Sequence, residues 1–170
     1  MEKINKLKKI FQKEGIDGYI IPKNDEFFGE YIPDHKDRLK YISDFSGSYG
    51  FALILNSQNY LFVDGRYTLQ ANKQSGKFFK IKKIPHELPE KILGNKKLKI
   101  GFDPKLFTTK TLNIFFGKTN CKYIPLNNNL IDKINDDFEF NQDNSIQFDE
   151  EYRSPGWDRY KKNKMLKWKK

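Results

Sequence analysis

Histidine and cysteine, the side chains that most often serve as metal ligands and nucleophiles, are scarce in this sequence of 170 residues. The two histidines are His35 and His86, and the one cysteine is Cys121. The sequence contains no HExxH or CxxC spacing of the kind that holds zinc. We therefore predict no metal ligand and no catalytic residue. We interpret both histidines as loop residues and Cys121 as a small, partly buried side chain before a strand.

Two other patterns are also unsuited to catalysis. The acidic pairs Asp136-Asp137 and Glu150-Glu151 lie in a polar segment, where solvated surface charge is the expected state of a carboxylate. Residues 47–50 are glycine-rich like a phosphate-binding loop, but no Lys-Ser or Lys-Thr follows them, and they precede a predicted strand instead of a helix. The sequence thus predicts no general acid–base pair and no nucleotide site.

Arg66 has the best case for binding a ligand. It follows Asp64-Gly65, a tight-turn sequence, directly after the predicted strand 60–63. Ligands of α/β domains collect at the carboxyl ends of strands, and the planar guanidinium group matches a carboxylate or the carbonyl groups of a peptide. The alternative is that Arg66 pairs with Asp64 and only holds the turn. The residues alone favour this second interpretation.

Alternating helix and strand patterns must position these residues. Apolar residues spaced along 3–14 predict one buried helix face, and the apolar runs 51–55 and 60–63 predict a hairpin around a polar turn. Residues 78–84 alternate lysine with apolar side chains, which is typical of an edge strand. Similar patterns predict strands at 18–21, 98–102 and 122–125 and helices at 37–42, 67–74, 88–93 and 108–116. The fold class is therefore α/β, with a mixed β-sheet flanked by helices.

The formal charge of +10 suggests nucleic acid as a partner, but its distribution argues against it. Residues 152–170 hold eight basic residues against one acidic residue, a charge of +7, which leaves only +3 for residues 1–151. We therefore do not expect nucleic acid as a partner, and a solvated lysine-rich end is the simpler interpretation. Steeply salt-dependent DNA binding that is lost on removal of residues 152–170 would reverse this view.

Composition also bears on location. No run of about 18 apolar residues is present, so we expect no membrane span. The first residues lead into an amphipathic pattern and not into the apolar core of a secretory signal. A single cysteine excludes an internal disulfide and is typical of a reducing compartment. We predict a cytoplasmic protein.

The order and spacing of several motifs resemble the N-terminal, creatinase-like domain of Xaa-Pro aminopeptidases (aminopeptidase P). The matching segments are residues 17–22, 30–32, 38–39, 42–50, 63–71, 101–104 and 129–134. In the family, residues 44–50 usually read Gly-Phe-x-Gly-Ser-Ala-Gly. Here Asp44 replaces the first glycine and Tyr49 replaces the alanine. Both departures place side chains where the family keeps almost none.

The resemblance implies a part of a metallopeptidase that removes the residue before a proline at a peptide's N-terminus. The family holds two divalent ions, usually manganese, with two Asp, one His and two Glu of a C-terminal catalytic domain that this chain does not contain. The N-terminal domain supports oligomer contacts and lines the entrance to the active site. The family's arginine in the Asp-Gly-Arg motif contacts bound peptide, and it matches Arg66. By this resemblance Arg66 becomes a substrate-binding residue.

These observations together predict three segments: a creatinase-like domain over residues 1–135, an acidic linker over 136–151, and a basic tail over 152–170. We expect the tail to be the truncated start of a second domain. The predicted function is that of a non-catalytic domain, inactive alone, within a homo-oligomer or joined to a missing catalytic portion. The alternative is a stand-alone binding module that associates with a separately encoded catalytic chain.

Overall fold

The computed structural model describes residues 1–29 and 31–135. Within them, six strands form one mixed sheet in the order β4-β3-β2-β1-β5-β6. The strands are β1 (Gly18–Pro22), β2 (Gly50–Leu55), β3 (Asn59–Asp64), β4 (Lys80–Ile84), β5 (Lys99–Phe102) and β6 (Lys122–Pro125). The helices are α1 (Glu2–Glu14), α2 (Arg38–Ser43), α3 (Thr68–Ser75), α4 (Pro89–Leu93) and α5 (Thr109–Phe116).

Strand direction brings several loops to one edge of the sheet. β2 runs antiparallel to both β1 and β3, whereas β4 is parallel to β3, β5 is parallel to β1, and β6 is parallel to β5. The carboxyl ends of the five strands other than β2 therefore meet the amino end of β2. We call this edge, with the loops that leave it, the C-terminal edge.

Both faces of the sheet are buried, which explains why β1 and β2 read as continuous apolar runs. On one face Tyr19 and Ile54 pack with side chains from α1, α2 and α3, including Leu7 and Leu39. On the other face Ile20 and Leu53 pack with side chains from α4 and α5, including the fully buried Leu93 and the almost fully buried Phe116. Alternate residues of each strand thus supply two separate cores.

Local signals fix where the helices begin and end. α1 ends at Gly15, which adopts the left-handed conformation at φ 65°. The Asp37 side chain caps α2 by accepting a hydrogen bond from the Lys40 backbone N–H, and Thr108 caps α5 in the same way through the Thr111 N–H. These caps satisfy backbone donors that would otherwise lack partners.

The predicted α/β class, with a mixed sheet flanked by helices, is confirmed. The hairpin of β2 and β3 and the position of β4 at the sheet edge are also as expected. The predicted linker 136–151 and basic tail 152–170 lie outside the described residues, so the proposed boundaries stay predictions. None of the helices in the described part of the chain has the length and apolar content needed to cross a membrane.

Candidate functional site

Two segments that are distinctive in the sequence, residues 38–50 and 63–67, come together at the C-terminal edge. The hydroxyl groups of Ser48 and Tyr67 lie 2.7 Å apart and share a hydrogen bond. The rings of Phe45 and Tyr67 meet edge to face, with centroids 6.0 Å apart and planes at 77°. The loop before β2 is therefore held directly against the turn after β3.

Side chains of helix α3 hold the same loop through hydrogen bonds. The side-chain amides of Gln70 and Gln74 each donate a hydrogen bond of 2.9 Å to the Ser46 hydroxyl, and the Ser46 backbone N–H donates to Gln74 Oε1 at 3.1 Å. Deeper in the structure, the buried Ser75 hydroxyl donates to the Ser43 carbonyl at 2.7 Å. Three hydrogen bonds to side chains of α3 thus hold the loop, and a fourth holds the end of α2 that precedes it.

The turn at Asp64 holds Arg66 in a defined position. Asp64 Oδ1 accepts two hydrogen bonds from Arg66, one from its backbone N–H at 2.9 Å and one from Nε at 3.0 Å. The backbone N–H first, and then the guanidinium group, lower the pKa of Asp64, and the same carboxylate raises the pKa of Arg66. Both groups therefore stay ionised at neutral pH.

The turn leaves most of the Arg66 guanidinium group in contact with solvent. Its side chain is 77% exposed, and its Cζ lies 5.6 Å from the centroid of the Tyr67 ring. In the described part of the chain, Asp64 accepts from Nε of the guanidinium group. The N–H donors of the two Nη groups have no partner there and are available to a ligand. The pairing favoured by the residues alone is observed, and it still leaves Arg66 able to bind a second group.

Lys83 is a second cation at this turn, and sequence reasoning missed it. The alternating pattern of residues 78–84 predicts only that Lys83 lies on an edge strand. A Cβ placed on Gly65 would lie 2.6 Å from Lys83 Cε, so the lysine side chain covers the turn. The parallel pairing of Val63 with Lys83 brings the two together, and only a prediction of strand order could have revealed it.

A buried ion cluster was also missed, and it is centred on Arg38, the first residue of α2. Arg38, whose side chain is 2% exposed, donates from Nε and Nη2 to the two carboxylate oxygens of Asp132 at 2.7 and 2.8 Å, and from Nη2 to Glu26 at 2.6 Å. Burial raises the pKa of Asp132, and this effect is larger than the lowering of the pKa by the hydrogen bond and charge of Arg38. These residues are far apart in the sequence, so no local spacing could have indicated the cluster.

The Arg38 cluster joins separate segments of the fold and leaves little of its charge exposed. Burial opposes ionisation of Arg38 and Glu26, but hydrogen bonds and opposite charges win, so the pKa of Arg38 is raised and that of Glu26 is lowered. A neighbouring pair, Lys23 and Asp37, is also buried. Such clusters tie distant segments together, here α2 to the 3-10 helix Asp132–Ile134.

The candidate metal ligands do not come together. His35 lies in the 3-10 helix Asp34–Lys36, where the sequence predicts a loop, and His86 lies in a turn; both are exposed. The half-buried Cys121 thiol donates to the Lys96 carbonyl at 3.3 Å. Among residues 1–29 and 31–135, no group of three or more His, Cys, Asp or Glu side chains could hold a metal ion. The donor set described here therefore does not fit a dinuclear metal centre.

Comparison with known proteins identifies the fold just described. The sequence profile of the creatinase/prolidase N-terminal domain matches residues 3–134, which is most of the chain. The chain belongs to the creatinase/prolidase N-terminal domain family. The family match covers the whole sheet and both segments of the C-terminal edge.

Relatives of this creatinase/prolidase N-terminal domain are Xaa-Pro aminopeptidases. A probable Xaa-Pro aminopeptidase P of Laccaria bicolor is 32% identical over 143 residues, which is 78% of this chain and 22% of the relative. Xaa-Pro aminopeptidase 1 of Dictyostelium discoideum is 30% identical over 155 residues, covering 81% of this chain and 24% of the relative. The chain therefore spans less than a quarter of the length of these relatives.

Solved structures agree on the fold. The X-prolyl aminopeptidase of Caenorhabditis elegans, a cytosolic enzyme with a di-nuclear active site, superposes with a TM-score of 0.68 at 28% identity, over 78% of this chain and 25% of that one. The N-terminal domain of the cytoplasmic peptidase PepQ from Mycobacterium tuberculosis gives 0.60 at 22% identity, over 79% of this chain and 98% of that one. The second similarity supports the fold alone.

The two departures from the family motif now have a structural description. Asp44 ends α2 in the left-handed conformation, with φ 61° and ψ 4°, where glycine avoids the strain that a Cβ brings. Its side chain is exposed, so the replacement affects backbone strain more than packing. Tyr49 is 47% exposed and therefore extends from the loop into solvent without disturbing the core.

Proposed function

We propose that this chain is the N-terminal, non-catalytic domain of a Xaa-Pro aminopeptidase, and that it lines the entrance through which the peptide reaches a separate catalytic domain. The observation that supports this most is the position of Arg66. Its side chain is exposed at the C-terminal edge, where Asp64 accepts a hydrogen bond from Nε and the Tyr67 ring lies beside the guanidinium group. The Nη donors remain available to a peptide. Family membership and the names of the relatives supply the substrate class.

The peptide contact is testable on the chain itself. We expect titration of the ¹⁵N-labelled protein with a short Xaa-Pro peptide to shift the backbone amide signals of Gly65, Arg66 and Tyr67. Arg66→Ala should reduce these shift changes. Arg66→Lys should reduce them nearly as much, because lysine lacks the planar guanidinium group. The matched control is Lys73→Ala, which removes an exposed cation from α3 and should leave peptide binding unchanged. Equal binding by wild type and Arg66→Ala would contradict the proposed contact.

We also propose that the chain alone does not hydrolyse peptides, because the donor set in its described part does not fit a metal centre. Two manganese ions belong, in this proposal, to the catalytic domain of the full-length enzyme. The domain would support oligomer contacts there, which multi-angle light scattering of the purified chain tests directly. A cytoplasmic location is proposed from the single cysteine and from the cytosolic Caenorhabditis elegans relative.

A second candidate is a binding module that assembles with a separately encoded catalytic chain. In such an assembly the exposed Arg66 at the C-terminal edge would face the peptide held by that chain. An adjacent reading frame that encodes the catalytic portion would support it. Mixing the two chains should then generate aminopeptidase activity, and Arg66→Ala in this chain should reduce that activity. Full activity of the catalytic portion without this chain would contradict the assembly.

A further inference from the structure

Lys83 contacts the turn that presents Arg66. A Cβ built on Gly65 would meet Lys83 Cε at 2.6 Å, Nζ at 3.4 Å and Cδ at 3.7 Å, so the end of the lysine side chain lies over the glycine. The glycine therefore gives the lysine room to lie flat on the turn. This packing places the ammonium group beside Gly65, the residue that precedes Arg66.

The charges at the turn do not balance. The Asp64 carboxylate is hydrogen-bonded to Arg66, and it also feels the positive charge of Lys83. Within residues 1–29 and 31–135, the Lys83 ammonium group has no hydrogen-bond or ion-pair partner, and Lys83 is exposed. The nearby Glu87 carboxylate accepts from the Lys83 backbone N–H but pairs with the Lys82 ammonium group. Asp64 is then left to balance both Arg66 and Lys83, and the turn keeps a surplus of one positive charge.

We propose that Arg66 and Lys83 together bind a carboxylate group of the peptide. The Nη fork of Arg66 would donate to the two carboxylate oxygens, and the Lys83 ammonium group would add charge beside them. Asp64 would orient Arg66 through Nε without neutralising the pair. This inference rests on the proposed function, because it names the part of the peptide that the same site recognises and adds Lys83 as a residue that determines specificity.

Three short peptides separate the sources of a carboxylate. Ala-Pro-Ala has a free terminal carboxylate, its C-terminal amide has none, and Ala-Pro-Glu-amide carries one only on a side chain. Their dissociation constants for the ¹⁵N-labelled full chain would be obtained from the shifts of the backbone amide signals around Arg66. Removal of one exposed charge interaction is expected to weaken binding of the amide by about twofold to fivefold. The glutamate peptide then shows whether a side-chain carboxylate is accepted as well.

Lys83 variants test the second cation. Lys83→Gln keeps a polar side chain, one atom shorter, but removes its charge, so the preference for the free carboxylate should fall towards equality. Lys83→Arg keeps the charge and should retain the preference. Raising the salt concentration should reduce the preference in the wild type, because both cations are exposed.

The outcomes separate this inference from the proposed function. If Lys83→Gln keeps the full preference, or the wild type shows none, the inference about Lys83 is overturned. The peptide contact of Arg66 still stands in that case if Arg66→Ala weakens binding of all three peptides. If no peptide shifts the signals around Arg66, the proposed peptide contact itself fails and the inference fails with it.

Discussion

Replacement of Arg38 by methionine is expected to destabilise the domain strongly. The Arg38 side chain is 2% exposed and binds Asp132 and Glu26, whose side chains are 19% and 24% exposed. Methionine fills much of the same volume but leaves Asp132 without its cation, and it leaves Glu26 with only the Lys36 ammonium group, 3.5 Å away. Removing one partner of a buried ion pair costs about 3–5 kcal/mol, and the partial solvent access of the carboxylates puts the expected loss near the lower end, about 3 kcal/mol.

Urea unfolding followed by fluorescence or circular dichroism measures this loss. The matched control is Lys40→Met, which removes another cation from α2, and one whose partner Asp34 is 88% exposed. We expect this control to leave the unfolding midpoint unchanged, because exposed ion pairs contribute little. A double variant in which Asp132 is also replaced by leucine should lose less free energy than the sum of the two single variants.

The pH dependence gives an independent check with a defined sign. Burial already raises the pKa of Asp132, and without Arg38 nothing offsets that burial. A carboxyl group whose folded pKa is raised destabilises the fold above its unfolded pKa of about 3.9, and the penalty disappears as pH falls. In the wild type the pKa of Glu26 is lowered, so its stabilising contribution is lost as pH falls.

Both effects make the deficit of Arg38→Met smaller at about pH 4 than at pH 7. Two results would refute the reasoning. One is a loss no larger than that of Lys40→Met. The other is a deficit that grows as the solution is acidified.

Three further predictions concern the fold. Asp44→Gly should raise the free energy of unfolding by about 0.5–1 kcal/mol in a urea titration, because glycine relieves the left-handed strain at φ 61°; a loss would contradict this. Phe116→Ala should cost about 3–5 kcal/mol since its side chain is 1% exposed, whereas Ile114→Ala, 60% exposed on the same helix, should be nearly neutral. Burial raises the pKa of Tyr123 from 10.0 to about 12, so stability should decline with rising pH across this window. The fluorescence-detected decline should be shallower in Tyr123→Phe, and an unchanged slope would count against that assignment.

The elements of the sheet could be predicted because their patterns are local. The apolar runs of β1 and β2 indicated strands buried on both faces, and the lysines of β4 indicated an edge. The caps at Gly15 and Thr108 are local in the same way, since a left-handed glycine and a threonine N-cap act on neighbouring backbone groups. Each of these signals lies within a few residues of the structure that it determines.

The site was only partly predictable because it depends on contacts between distant segments. Arg66 was singled out from its turn, and its pairing with Asp64 follows from two adjacent residues. The contact of Lys83 with Gly65 requires the parallel pairing of β3 with β4, which no local pattern specifies. The bond between Arg38 and Asp132 joins segments that meet only in the folded domain.

The central claim is that this chain contributes peptide contacts and no catalysis. The most direct test incubates the purified 170-residue chain with Xaa-Pro peptides and manganese, with and without a chelator, and measures release of the N-terminal residue by mass spectrometry. We predict no release above the uncatalysed background under either condition. Robust release that the chelator abolishes would contradict the claim and place a working metal centre within this chain.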